Sequence, residues 1–157
     1  QVMDALPKGP RRTIRVVLFG AEEVGLVGAQ AYALAHADEL GKHVVASESD
    51  FGAGRIWRFE TGVAEDKIAA AQKLGVVVRG MGASAGGNSA SGGPDMKYIR
   101  EAGVPVVGLK QNGWDYFDLH HTPNDTLDKI DPEDIAHNVA AWTSFIYLAA
   151  NSREYYR

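Results

Sequence analysis

Short apolar runs alternate along the chain with longer segments in which apolar residues recur every three to four positions. The short runs are rich in valine and isoleucine, which is typical of strands that helices cover on both faces. Several longer segments end at glycine, which often follows the last turn of a helix. The predicted strands are Thr13–Gly20, His43–Ser47, Ile56–Glu60, Val76–Val78 and Val104–Leu109, and the predicted helices are Glu22–Leu40, Val63–Leu74, Pro94–Ala102 and Asp131–Asn151.

This order of strands and helices predicts an α/β fold with three α/β/α layers and a mostly parallel, mixed central sheet. The last helix has the clearest start, because Asp131 suits the N-cap, Pro132 the first helical position and Glu133 the first turn. The 157 residues fit a single domain. Gln1–Leu6 has the pattern of the last turn of a helix, so we expect the chain to begin inside a domain.

Composition excludes several classes of function. The net charge is −4 and no basic run is present, which argues against a nucleic-acid partner. No apolar stretch approaches the roughly 20 residues that span a bilayer, so no membrane segment is expected. The chain has no cysteine, which excludes disulfides and thiolate chemistry.

Two adjacent glutamates, Glu22 and Glu23, follow the first predicted strand directly. A carboxylate pair at the end of a buried strand is costly unless a positive group lies against it. Ligands of α/β proteins also collect at this edge of the sheet. One carboxylate of the pair can therefore bind a metal while the other faces a water molecule. The alternative is an ordinary helix start, where acidic residues favour the helix dipole.

Two further features complete a set of metal-binding side chains. Asp50 follows the strand His43–Ser47, although aspartate is also a common turn residue. His120 and His121 lie in a polar loop without helical or strand periodicity, which an ordinary surface loop also explains. Glutamate, aspartate and histidine near strand ends are the ligands of a hydrolytic zinc site.

Other features are given smaller roles. His36 and Asp38 lie within a predicted helix and do not share a face, so we interpret them, like His43 and His137, as solvated surface.

The glycine-rich stretch 80–93 lacks the Gly-Lys-Ser/Thr ending of a phosphate loop and is expected to form a substrate-pocket wall. No Gly-x-Ser-x-Gly motif marks a serine nucleophile. Three aromatic residues before the histidines suit either a specificity pocket or packing: Trp114, Tyr116 and Phe117.

Taken together, the motifs resemble the co-catalytic zinc exopeptidases of the aminopeptidase family, and in particular their carboxypeptidase Q-like branch. The likeness runs from about Arg12 to Ala150, and the ordered set of motifs is much more specific than any one of them. The segments that carry it are Arg15–Glu23, Glu48–Gly52, Ser91–Asp95, Gly103–Pro105 and Tyr116–Thr126.

The resemblance implies a hydrolase that cleaves peptides or dipeptides near a free terminus with two zinc ions. It makes Glu22 the general base, Glu23 and His121 ligands of one zinc, and Asp50 a ligand of the other. It also implies a secreted or periplasmic location. Substrate contacts are expected from Ser91, Gly92, Tyr116 and His120.

The chain departs from this pattern before Glu22. Enzymes of the family use five ligands, and the first two are a histidine and a bridging aspartate in a His-x-Asp setting upstream of the glutamate pair. Residues 1–21 contain no such pair. We therefore expect residues 1–157 to be the C-terminal portion of a zinc metallopeptidase catalytic domain, with one zinc or none and with little or no activity alone. Exposed sheet edges are expected to favour self-association or strand exchange.

Two alternatives share the fold. One is a single-zinc aminoacyl transferase resembling the glutaminyl cyclases, and the other is a non-catalytic interaction module that has lost its metals. The segment Glu48–Asp50 and the loop around His121 favour the peptidase. The sequence does not distinguish aminopeptidase, carboxypeptidase and dipeptidase action.

Overall fold

A computed structural model describes residues 8–157, and the segment Gln1–Leu6 lies outside the described residues. The three strands of the sheet have the order β2-β1-β3. Strand β1 pairs in parallel with β2 and antiparallel with β3, so the sheet is mixed. The predicted α/β class is confirmed, although the longest ladder is antiparallel. The strands are β1 Ile56–Gly62, β2 Ser84–Ala85 and β3 Val106–Gln111.

Helices and short turns of 3₁₀-helix are the other regular elements of the described chain, and loops connect them. No helix among residues 8–157 is both long and apolar enough to cross a membrane. The α-helices are α1 Val27–Ala35, α2 Ile68–Gln72, α3 Val76–Gly80, α4 Lys97–Glu101, α5 Tyr116–Leu119 and α6 Pro132–Asn151. The 3₁₀ turns are Ala37–Lys42, Glu65–Lys67, Lys73–Gly75 and Leu127–Lys129.

Strand β3 separates two hydrophobic cores because neighbouring residues of a strand point to opposite faces. Val107 joins the core that includes Phe59 of β1 and Phe145 of α6. Val106 joins the second core, which includes Ile99 of α4. Helices therefore cover both faces of the sheet, as the three-layer prediction requires.

Four predicted elements occur close to their expected places. The strand Ile56–Glu60 lies within β1, and Val104–Leu109 overlaps β3 but begins pairing two residues later. The helix Pro94–Ala102 shortens to α4, which is followed by Gly103 with a positive φ of 84°. The helix Val63–Leu74 is divided between 3₁₀ turns and α2.

The prediction of a strand at Val76–Val78 is wrong, because these residues form the start of helix α3. Val78 is fully buried, whereas Val76 and Val77 are exposed. Buried positions recur at Ala71, Leu74 and Val78, which is helical spacing. Three consecutive valines favour a strand locally, but burial on one side of the packed chain selects the helix.

The predicted strand Thr13–Gly20 lacks strand pairing. No backbone hydrogen bond within residues 8–157 joins Thr13–Phe19 to another segment, and the side chains of Val16 and Leu18 are 79% and 94% exposed. A strand needs a partner for its N–H and C=O groups, and none lies beside this one in the described chain. The predicted strand His43–Ser47 contributes only a parallel bridge, between Ala46 and Val106. Self-association or strand exchange through exposed sheet edges stays a prediction.

Helix α1 begins five residues later than predicted, because Glu22–Leu26 forms a tight turn. The carbonyl of Glu22 accepts hydrogen bonds from the N–H groups of Gly25 and Leu26, at 3.0 and 2.9 Å. Gly25 has a φ of 115°, a conformation that favours glycine. The two glutamates therefore project from a turn and not from the first turn of a helix.

Helix α6 begins as predicted, with Asp131 at its N-cap. The prediction that His137 lies on the surface is wrong, since His137 lies on the buried side of α6 and is only 8% exposed.

Replacing Asp131 with alanine is expected to lower the free energy of unfolding by about 1 kcal/mol. Its carboxylate accepts hydrogen bonds from the N–H groups of Glu133 at 2.7 Å and Asp134 at 3.4 Å. Asp131→Asn retains a capping oxygen and should lose much less. Urea denaturation of the three proteins measures the difference, and equal stability of the two variants would contradict the capping role.

Candidate metal and catalytic site

Glu23 and His121 meet at the surface although 98 positions separate them in the sequence. The Nε2 atom of His121 lies 2.7 Å from Oε1 of Glu23. Glu23 comes from the turn before α1, and His121 from the loop after α5, where its φ is 60°. The fold therefore brings together the two residues that were predicted to share one zinc ion.

His120 belongs to the same group. Glu23, His120 and His121 each offer one ligand atom, and these atoms all lie within 4.8 Å of one another. Zinc in catalytic sites takes about three protein ligands of nitrogen and oxygen type and keeps an open position. The donor set fits such an ion. The prediction gave His120 a place in the substrate pocket, and the structure also gives it an atom suited to the metal.

Asp50 lies within electrostatic reach of this group. Its pKa is raised by partial desolvation and by the negative charge of Glu23, while His120 acts in the opposite direction. Asp50 is exposed to solvent. It is not one of the three residues whose ligand atoms cluster, and its predicted place on a second zinc ion stays a prediction.

Glu22 is half-buried beside the same acids. Desolvation raises the pKa of its carboxyl, and the charges of Glu23 and Asp50 raise it further. A raised pKa makes a carboxylate a better proton acceptor, which suits a general base. These surroundings are compatible with a general base, and the catalytic role of Glu22 stays a prediction.

Glu48 and Asp95 form a second acidic pair that the sequence reasoning did not assign. The backbone N–H of Asp95 donates a 2.8 Å hydrogen bond to Oε2 of Glu48. Asp95 is 4% exposed, and no described residue bonds its buried Oδ1 atom. Desolvation raises the pKa of Glu48 to about 7 and also raises the pKa of Asp95.

A signal for Glu48 was present in the sequence. Glu48 and Asp50 are two positions apart in an extended segment, and residues at that spacing face the same side. The segment Glu48–Gly52 carries part of the family resemblance, which implies a metal-binding role for Asp50 and none for Glu48. Asp95 also lies in a segment of the family resemblance, Ser91–Asp95, but its contact with Glu48 joins positions 47 residues apart and is not visible in the sequence.

Ser91 and Gly92, the predicted substrate contacts, differ in exposure. Ser91 is exposed, whereas Gly92 is buried with a φ of 87°. A Cβ atom on Gly92 would lie 2.9 Å from Cβ of Val106, so packing requires glycine there. The carbonyl of Gly92 accepts a hydrogen bond from the N–H of Glu48 at 2.8 Å. Their contact with substrate stays a prediction.

Most of the glycine-rich stretch follows the sheet. The N–H of Gly86 donates to the carbonyl of Phe59, and the N–H of Thr61 donates to the carbonyl of Gly87. These bonds extend the edge of β1. Only the following segment, Ser91–Asp95, lies beside Glu48.

Tyr116, the remaining predicted substrate contact, is half-buried. Its ring stacks on His120 with a centroid distance of 4.8 Å. This position is next to the candidate metal ligands, so Tyr116 contacts the site whether or not it touches substrate.

Comparison with known proteins identifies the family. The model of peptidase family M28 matches residues 1–146. Carboxypeptidase Q from Rattus norvegicus is 29% identical over 145 residues, which cover 92% of this chain and 30% of that protein. Carboxypeptidase Q from Xenopus laevis is 30% identical over 146 residues, which cover 92% of this chain and 31% of that protein.

A solved structure supports the same family assignment. The crystal structure of a peptidase M28 precursor from Shewanella amazonensis SB2B matches with a TM-score of 0.95 and 50% identity. The match covers 99% of this chain and 35% of that one, so the chain spans about a third of the length of the proteins it resembles. The resemblance predicted from the sequence is confirmed: the chain belongs to peptidase family M28.

Proposed function

We propose that this polypeptide supplies the zinc ligands and the general base of an exopeptidase. In this proposal, residues 1–157 are the C-terminal portion of a larger catalytic domain, and the polypeptide alone is weakly active or inactive. The observation that carries the proposal is the group of Glu23, His120 and His121, with ligand atoms within 4.8 Å of one another.

Glu23 and His121 hold one zinc ion in the proposed site, and Asp50 contributes to the second. Their oxygen and nitrogen donors suit zinc at neutral pH. Zinc held by these residues would supply a Lewis acid for the peptide carbonyl and for water. The remaining ligands of a complete site come from outside residues 1–157.

Glu22 moves the proton. Its carboxylate takes a proton from the attacking water, and the oxygen of that water forms a bond to the carbonyl carbon. The carbon–nitrogen bond then breaks, and Glu22 delivers the proton to the leaving amine. Its position next to Glu23, a proposed zinc ligand, supports this role.

The substrate is a peptide or dipeptide with a free terminus. Ser91, Gly92, Tyr116 and His120 are the proposed pocket residues. The carboxypeptidase Q relatives support a carboxypeptidase action over an aminopeptidase one. Resemblance also supports a secreted or periplasmic enzyme.

Elemental analysis of the purified chain and of a Glu23→Ala, His121→Ala double variant tests the proposal first. We expect about one zinc per chain in the wild type and none in the double variant, since two of the clustered donors are lost. His36→Ala is the control, because His36 pairs with Glu39 outside this cluster. Zinc absent from the wild type, or retained by the double variant, would contradict the proposed ligands.

Turnover of peptides with free or blocked ends then tests the reaction. Hydrolysis that requires zinc and a free terminus supports the exopeptidase. Cyclisation of N-terminal glutamine would instead support the glutaminyl cyclase-like alternative. A wild type that neither binds zinc nor turns over peptides would exclude residues 1–157 as an enzyme by themselves.

A further inference from the structure

Four aromatic rings form one continuous stack that ends at a candidate zinc ligand. Phe51 stacks on Tyr116 at a centroid distance of 4.1 Å and an interplanar angle of 21°. Tyr116 stacks on His120 at 4.8 Å and 27°. His120 stacks on His121 at 3.6 Å and 23°. We call these residues the ring stack.

The ring stack joins the two loops that carry the candidate ligands. Its first ring belongs to Phe51, which follows Asp50 directly in the chain. Its last ring belongs to His121, which contacts Glu23 at 2.7 Å. Neither ligand loop is part of a long helix or strand, so side-chain contacts act together with a few backbone hydrogen bonds, such as that from the N–H of His120 to the carbonyl of Tyr116, to set their geometry.

Two glycines make room for the ring stack. A Cβ atom on Gly52 would lie 3.1 Å from Cδ2 of Tyr116, and Gly52 has a φ of 70°. A Cβ atom on Gly113 would overlap the ring of Phe51. The backbone therefore approaches both rings more closely than any other residue type would allow.

His121 has a backbone conformation that needs support from its surroundings. Its φ of 60° lies in the left-handed region, which residues other than glycine adopt rarely. Such conformations persist where neighbouring structure holds them. The flat contact with His120 and the bond to Glu23 hold the His121 ring from two sides.

We propose that Tyr116 is a positioning residue that orients His120, and through it His121, for zinc binding. This inference rests on the proposed zinc site. The ring of Tyr116 performs the task, because the ring face is what contacts Phe51 and His120. Partners that orient metal ligands without binding the metal commonly affect affinity by about 10- to 100-fold.

Tyr116→Leu and Tyr116→Phe separate the ring from the hydroxyl. We expect the leucine variant to bind zinc about tenfold or more weakly in competition with a chelator, and the phenylalanine variant to bind like the wild type. Trp114→Leu is the matched control, because Trp114 is almost fully exposed and lies outside the ring stack.

NMR of the metal-free protein gives a second readout. Loss of the Tyr116 ring also removes its ring current, which shifts nearby protons even if no ring turns, so the informative histidine signals are the nuclear Overhauser effects between the ring protons of His120 and His121. We expect these signals to weaken in Tyr116→Leu and to keep about their wild-type intensity in Tyr116→Phe. Unchanged histidine signals and unchanged zinc affinity in Tyr116→Leu would overturn the proposal, as would equal losses in both variants.

The two readouts also separate this inference from the proposed function. If the wild-type chain binds no zinc, the proposed function fails for this polypeptide, while the histidine signals still decide whether Tyr116 orients the rings. If Tyr116→Leu does not fold, Gly113→Ala displaces Phe51 from the other end of the ring stack. Gly113→Ala must then weaken the same nuclear Overhauser effects between His120 and His121, and unchanged intensities would overturn the proposal.

Discussion

Replacing Glu22 with glutamine is expected to slow zinc-dependent peptide hydrolysis by about 10²- to 10⁴-fold without changing zinc content. The substitution keeps the size of the side chain but removes the group that accepts the proton. Glu23 and His121, the proposed zinc ligands, are unaltered. The measurements are kcat/KM on a peptide with a free terminus and zinc by elemental analysis, each compared with a wild type whose turnover has first been detected.

Glu65→Gln is the control for this experiment. Glu65 is an exposed acid in a 3₁₀ turn outside the site, so its replacement should leave both readings unchanged. A Glu22→Gln variant that hydrolyses peptides at the wild-type rate would exclude Glu22 as the base. Loss of zinc in the same variant would instead assign Glu22 to metal binding.

Glu48→Gln is expected to stabilise the metal-free protein at pH 8 and to change little at pH 4. The pKa of Glu48 rises from its ordinary value of 4.5 to about 7 in the folded protein, because the carboxyl is desolvated. Protonated Glu48 therefore contributes stability that is fully present below pH 4.5. That stability is lost as the pH rises through about 7, since the folded state must then hold a desolvated charge.

The expected gain at pH 8 is about 1–3 kcal/mol, because water still screens a half-buried carboxylate. Glutamine cannot ionise and still offers an oxygen to the N–H of Asp95. Urea denaturation in the presence of a chelator, at pH 4, 6 and 8, gives the free energy of unfolding. Glu48→Ala loses the hydrogen bond and should not reproduce the gain. Parallel pH profiles for Glu48→Gln and the wild type would contradict the shifted pKa.

Local chemistry was sufficient where an element depends on its own residues. Asp131 and Pro132 mark the start of α6 because an N-cap side chain bonds N–H groups two or three positions ahead. The apolar run Val104–Leu109 predicts β3, since a strand covered on both faces is apolar throughout.

Local patterns failed where a distant neighbour decides the outcome. Val76–Val78 has strand composition, but the core around Phe59 buries only one side of it, and a helix results. Thr13–Gly20 has the composition of a buried strand, yet nothing within residues 8–157 pairs with it. Composition states what a segment can form, and its partners decide what it forms.

The sequence by itself determined the α/β class, the family, and the residues Glu22, Glu23, Asp50 and His121 as site candidates. It did so because these residue types, in this order, are each needed for one kind of chemistry. Only the tertiary structure decided that Glu23 and His121 touch, that Glu48 holds Asp95, and that Tyr116 stacks on His120. The contacts Glu23–His121 and Glu48–Asp95 join distant segments, and a contact of that kind exists only once packing has brought the segments together.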